Sequence, residues 1–82
     1  RMPKRYKALR QLELLRDCYN DGWVADWTDD DNIKYIIEII EDSAEMDSYY
    51  TCNRFLNFKT AELRDLFLKN FRDIIEIAKP LL

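Results

Sequence analysis

The stretch from Thr60 to Pro80 constrains this chain most, because it reads as a whole helix with both ends marked. Thr60 is a good side-chain N-cap, Ala61 and Glu62 suit a first turn, and Pro80 stops the run. Between them Leu63, Phe67, Phe71, Ile74 and Ala78 recur at the three- and four-residue spacing of one helical face. Leu66, Leu68, Ile75 and Ile77 widen the apolar surface past a single stripe, so this helix needs more than one neighbour. Truncating Phe71 on that face is expected to cost about 3–5 kcal/mol.

A second helix, Tyr6 to Tyr19, is the first such neighbour. Tyr6, Leu9, Leu12, Leu15 and Tyr19 share a face with Ala8 and Cys18 beside them, Pro3 is tolerated in a first turn, and Asn20-Asp21-Gly22 supplies the stop. Trp23 to Asn32 has neither helical nor strand periodicity and reads as an ordered loop, with Trp23 and Trp27 packed over the core. Ile33 to Glu41 fits two templates. Ile33, Ile36, Ile37 and Ile40 match helical spacing, but the density of β-branched and aromatic residues favours a strand with apolar residues on both faces, hence cover on both. Asp42 to Ser48 then reads as a polar loop and Tyr49 to Phe58 as the return strand, with Arg54, Leu56 and Phe58 on one face.

A chain of 82 residues holds one core and no second domain. The expected fold is a single α+β domain over residues 1–82, in the order helix, strand, strand, helix. Its β-hairpin packs against two amphipathic helices on one face, and residues 1–4 form a disordered tail. No apolar run approaches membrane-span length, and the basic start lacks the apolar stretch of a signal peptide, so a soluble cytoplasmic protein is expected, with no membrane partner. Arg1 before Met2 leaves open whether the natural start is Met2 or the chain is a piece of something longer.

The run Phe58-Lys59-Thr60-Ala61-Glu62-Leu63-Arg64-Asp65, continuing through Phe67-Leu68-Lys69-Asn70-Phe71-Arg72-Asp73-Ile74-Ile75-Glu76 to Ala78-Lys79-Pro80-Leu81, carries a resemblance. It is similar to a C-terminal signature of small uncharacterised proteins of gut bacterial genomes and their phages or prophages. Cys18-Tyr19-Asn20-Asp21-Gly22-Trp23 and Asp26-Trp27 resemble the same group. What the resemblance implies is a genomic setting, with no activity and no catalytic residues to carry over.

Charge is segregated along the chain. Residues 1–16 carry six basic groups against Glu13 alone, residues 17–53 carry eleven acids against Lys34 alone, and the remainder is mixed, for a net charge of −3. Lys4, Arg5, Lys7 and Arg10 are therefore candidate nucleic-acid contacts, with Tyr49, Tyr50 and Phe55 as a candidate stacking surface. The competing reading lays those cations against the chain's own acidic middle. A calcium loop fits poorly: counted from Asp17, Tyr19 stands at position three and Thr28 at position twelve. Without histidine, and with Cys18 and Cys52 too isolated to form a cluster, no metal or other cofactor is expected; the thiols read as reduced and partly buried, the alternative being an 18-to-52 disulfide, which requires their β-carbons within bonding distance. Ser43 and Ser48 lack a basic partner, so an enzyme is not expected. The function expected is protein–protein binding, to a partner or to a second copy as a homodimer, with Trp23, Trp27, Leu68 and Ile77 as candidate interface residues. The alternative is a nucleic-acid-associated factor using the basic helix.

Overall fold

Left-handed backbone at Asp21 (φ 47°) closes the first helix, α1, Lys4–Asn20: its N–H donates to the carbonyls of Asp17 and Cys18 at 3.1 and 3.2 Å. The computed structural model describes residues 3–82. The expected disorder of residues 1–4 therefore falls, for Arg1 and Met2, outside the described residues, while Pro3 is the N-cap and Lys4 opens the helix. The strands are β1, Lys34–Ile40, β2, Ser43–Tyr49, and β3, Leu56–Phe58. They are followed by α2, Ala61–Ala78, and a 3-10 turn, Lys79–Leu81. The Thr60 hydroxyl accepts the Leu63 N–H at 3.2 Å, the cap its position in the sequence requires.

The three strands form one antiparallel sheet in the order β2-β1-β3. The fold class is α+β, as expected, but the strands differ from the sequence reading in number and place. Asp42 to Ser48 is not a loop: only Glu41 and Asp42 turn the chain, both with positive φ (50° and 65°), and Ile40 pairs directly with Ser43. No Asn-Gly pair marks this turn. The strand behind it is polar because it lies at the sheet's edge and is largely exposed. Tyr49 to Phe58 is not one strand either: Tyr49 ends β2 opposite Lys34, and only Leu56–Phe58 form β3. The alternation counted back to Arg54 fails with it. Replacing the turn by Glu41→Asn with Asp42→Gly is expected to stabilise the domain by about 0.5–1 kcal/mol, read as a higher thermal midpoint. A lower midpoint counts against left-handed strain at this turn.

Central β1 explains its own two-sided apolar pattern. Tyr35, Ile37 and Ile39 face the helices, and Ile37 joins Ala8, Leu12, Leu56, Phe58, Phe67, Leu68, Ile75 and Ala78 in the core. Both helices therefore pack on one face of the sheet. Rings of Tyr19, Phe58 and Phe71 surround Phe67 at centroid distances of 5.2, 4.8 and 4.9 Å. Phe71 itself is half-buried and departs from helical backbone values (φ −124°, ψ 23°), so the deepest aromatic of α2 is Phe67.

The opposite face of β1 presents Lys34, Ile36 and Glu38, all buried. Their cover is the two irregular segments, 23–32 and 50–55. Lys34 Nζ donates to the carbonyls of Asp29 (2.5 Å) and Tyr50 (2.7 Å) and lies 5.7 Å from the centre of a Trp27 ring. Glu38 accepts from Tyr49 Oη at 2.7 Å and from Arg54 Nε at 3.0 Å. Trp27 consequently belongs to this side of the sheet and Trp23 to the end of α1, so neither joins the helical core, correcting the expectation that they pack over it.

Candidate functional site

The last two turns of α1 seal the free edge of β3 with side chains. Arg16 Nη1 donates to the Phe55 carbonyl (2.8 Å), Asn20 Nδ2 to the Asn57 carbonyl (2.9 Å), and Asn20 Oδ1 accepts the Lys59 N–H (3.2 Å). One amide thus serves as donor and acceptor to alternate backbone groups, as a neighbouring strand would. Asn57 Nδ2 turns back to the carbonyls of Arg54 and Phe55, fixing the segment before β3.

Outside this seam lies a groove of about 700 Å³, walled by α1, residues 22–27 and residues 53–57. Trp23, Trp27 and Phe55 supply its aromatic surface, and Val24, 83% exposed, stands at its rim. Its two arginines are committed internally. Arg16 lies 5.0 Å over the Phe55 ring and pairs with Asp17, while Arg54 holds Glu38 and lies 5.1 Å over Tyr49. The phenol of Tyr49 is raised above its ordinary pKa, first by its hydrogen bond to the Glu38 carboxylate. Phe55 and Glu13 also border a second, apolar hollow of about 320 Å³ formed with Tyr6, Leu9 and Arg10. From Tyr6 to Asn20 the two make one track along α1, roughly 20 Å by helical rise.

Among the described residues the groove brings together no nucleophile and base. Ser43 and Ser48 lie on β2, at the opposite edge of the sheet. Cys18 and Cys52 are unpaired and exposed, not partly buried as expected, because Cys18 faces away from the core and Cys52 sits in the segment before β3.

Of the residues singled out from the sequence, Trp23 and Trp27 do line the groove, each half-buried. Leu68 does not serve an interface: it is buried in the core beside Phe67. Ile77 is exposed on α2, away from the groove. Lys4, Arg5 and Lys7 are exposed on the first turns of α1 and make no ion pair among the described residues, while Arg10 pairs with Glu13. They do not lie against the acidic middle; the cation at the centre of that region is Lys34. Tyr49, Tyr50 and Phe55 do not form a stacking surface on one strand, since Tyr49 ends β2 and the other two sit in the segment that follows. Sequence reasoning missed Arg16, Asn20 and Lys34. A signal existed for Lys34, the single base among eleven acids, placed at a strand position of the same parity as Ile36.

The acidic loop is ordered by its own carboxylates. Asp26 accepts from the Thr28 hydroxyl (2.6 Å) and N–H (3.0 Å), and Asp29 from Asn32 Nδ2 (2.6 Å) and the Asp31 N–H (2.9 Å). Those bonds, the side-chain donors first, hold both carboxyls below the usual aspartate range. The carboxylates of Asp29, Asp30 and Asp31 also lie within 4.8 Å of one another. Depressed folded-state values mean the stabilisation is present above the ordinary pKa of about 3.9 and is lost as pH falls below it. Amide protection at Thr28 and Asp31 is therefore expected to fall in acid while the amides of α2 stay protected. Unchanged protection at both down to about pH 2 removes this account of the loop.

No helix of the described residues is long and apolar enough to cross a membrane. In comparison with known proteins, no protein family, no curated protein and no solved structure matches the chain, so its function rests on the groove and its surroundings.

Proposed function

We propose that this chain is a non-enzymatic interaction protein, an accessory factor of a bacterial mobile element or its host, that binds another protein through the groove along α1. The observation that carries this reading is a groove with aromatic walls whose arginines and buried asparagines are already bonded within the fold. Such a surface offers Trp23, Trp27 and Phe55 as anchors to apolar side chains of a partner, and a pre-ordered wall loses little entropy on binding. The genomic setting comes from the resemblance of its Cys18–Trp23 and Phe58–Leu81 segments. A photo-crosslinking residue at Val24, on the rim, is expected to capture one discrete protein in host cells, and Phe55→Asp to abolish capture. The same probe at Lys69, exposed on α2, should give no such adduct; equal capture from both positions would sink the proposal.

Exposure of Lys4, Arg5 and Lys7 without ion-pair partners among the described residues supports a second reading, contact with nucleic acid at the start of α1. Binding to a duplex or single-stranded oligonucleotide that weakens steeply with salt and with Lys7→Glu would put that reading first. Indifference to both oligonucleotides at low salt would remove it.

A further inference from the structure

The two edges of the sheet are finished differently. Beside β3, side chains of α1 occupy the outward backbone groups of Phe55, Asn57 and Lys59. Along β2 there is no such cover. A two-residue turn makes Ile40 and Ser43 a hydrogen-bonded pair, so Ser43, Glu45, Asp47 and Tyr49 direct their backbone toward β1, and Ala44, Met46 and Ser48 direct theirs outward. Ser48 N–H is taken by the neighbouring Asp47 carboxylate at 2.8 Å, consistent with that orientation. Among the described residues nothing bonds the outward N–H and C=O of Ala44 and Met46. The strand also lacks the proline or inward-pointing lysine that blunts an edge.

Charge on this edge has one sign. Glu45 and Asp47 are exposed on β2, Glu41 and Asp42 stand at its turn, and the Lys34 bonds bring Asp29 beside Tyr50 just past its far end. Two cations reach the hairpin, but among the described residues neither pairs with the carboxylates of Glu45 and Asp47. Arg64 bonds the carbonyl of Asp47 and pairs with Asp65, and Lys79 bonds the Asp42 carbonyl with that carboxylate 3.8 Å away. A second copy is a poor occupant: antiparallel pairing centred on Met46 sets Glu45 opposite Asp47 of the other chain twice over.

We propose that the outer edge of β2 accepts an extended segment of another protein with alternating basic and apolar side chains, which adds a fourth strand to the sheet. The incoming backbone pairs with Ala44 and Met46. Its basic side chains lie beside Glu45 and Asp47 on one face, and its apolar ones beside Ala44 and half-exposed Met46 on the other. This surface is separate from the groove, so either can fail without the other.

The test is titration of the whole chain with an acetylated Lys-Val repeat octapeptide, followed by amide NMR. Slowed amide exchange at Ala44 and Met46 and shifts confined to β2 are expected, with no response to the Glu-Val counterpart. Glu45→Lys with Asp47→Lys should weaken binding of the Lys-Val peptide about tenfold or more and favour the Glu-Val peptide. Met46→Pro removes an outward N–H that the sheet itself does not use, so it should abolish binding while the other amides of the sheet keep their protection. If Met46→Pro unfolds the chain, the charge-reversed variant decides. The proposal is overturned if neither peptide binds, if both bind alike, if the shifts fall on α1, or if the edge is taken by a second copy, seen as a dimer mass.

Discussion

Phe67→Ala is expected to lower the unfolding free energy by about 3–5 kcal/mol, a large part of what an 82-residue domain has. Its ring is fully buried and touches the rings of Tyr19, Phe58 and Phe71, which come from α1, β3 and α2. Truncation leaves a cavity where three elements meet, and none can close it without moving the others. Phe71→Ala should cost about 1–3 kcal/mol, because that ring is half-buried and its loss opens a notch toward solvent. Urea midpoints of the two variants decide the matter. A Phe71→Ala variant less stable than Phe67→Ala would restore Phe71 as the centre of the core and refute the packing described here.

Lys34→Met is the second substitution with a large expected effect, about 2–4 kcal/mol destabilising. Methionine keeps the volume of the stem but removes the donor shared by the carbonyls of Asp29 and Tyr50. Taking an ammonium out of water is itself costly, and no carboxylate pairs directly with it among the described residues. Two carbonyls and the Trp27 face must therefore offset that cost, and removing the cation takes away the side-chain tie of Asp29 to β1 and leaves segment 50–55 held there by the Arg54–Glu38 pair. Hydrogen exchange should accelerate across residues 26–32 and, to a smaller extent, across 50–55, where Arg54 still holds Glu38. A Lys34→Met variant that is neutral or more stable, with those residues still protected, would show that the apolar packing of the loops suffices.

The parts legible in the sequence are those whose partners lie within a turn or so. Thr60 finds its N–H at Leu63, and Asp21 finds its carbonyls at Asp17 and Cys18. Both helices were readable on that account. β1 was readable as a strand because the mixture of β-branched residues on both faces tells in favour of a central position, even against a competing helical period. By contrast β2 has no local signature: Ser43, Glu45, Asp47 and Ser48 suit a loop equally well, and only pairing with β1 decides that they are extended. The tryptophans were readable as ordered, though Trp27 was not readable as a member of the layer opposite the helices. Leu68, named as an interface residue, lies instead in the core, on the widened apolar face that the sequence already showed, because the fold covers that part of α2.

Sequence alone determined the stop of α1 and the cap of α2, the single-core α+β class and the concentration of acid in the middle of the chain, since each follows from composition or from contacts a few residues apart. Tertiary structure decided the groove and the unequal sheet edges. Arg16 meets Phe55 and Asn20 meets Asn57 across 39 and 37 residues, and no spacing rule reaches that far. Whether Lys34 is a solvated cation or a buried tie depends likewise on which backbone carbonyls the fold delivers to it, a matter of three-dimensional arrangement and not of residue type.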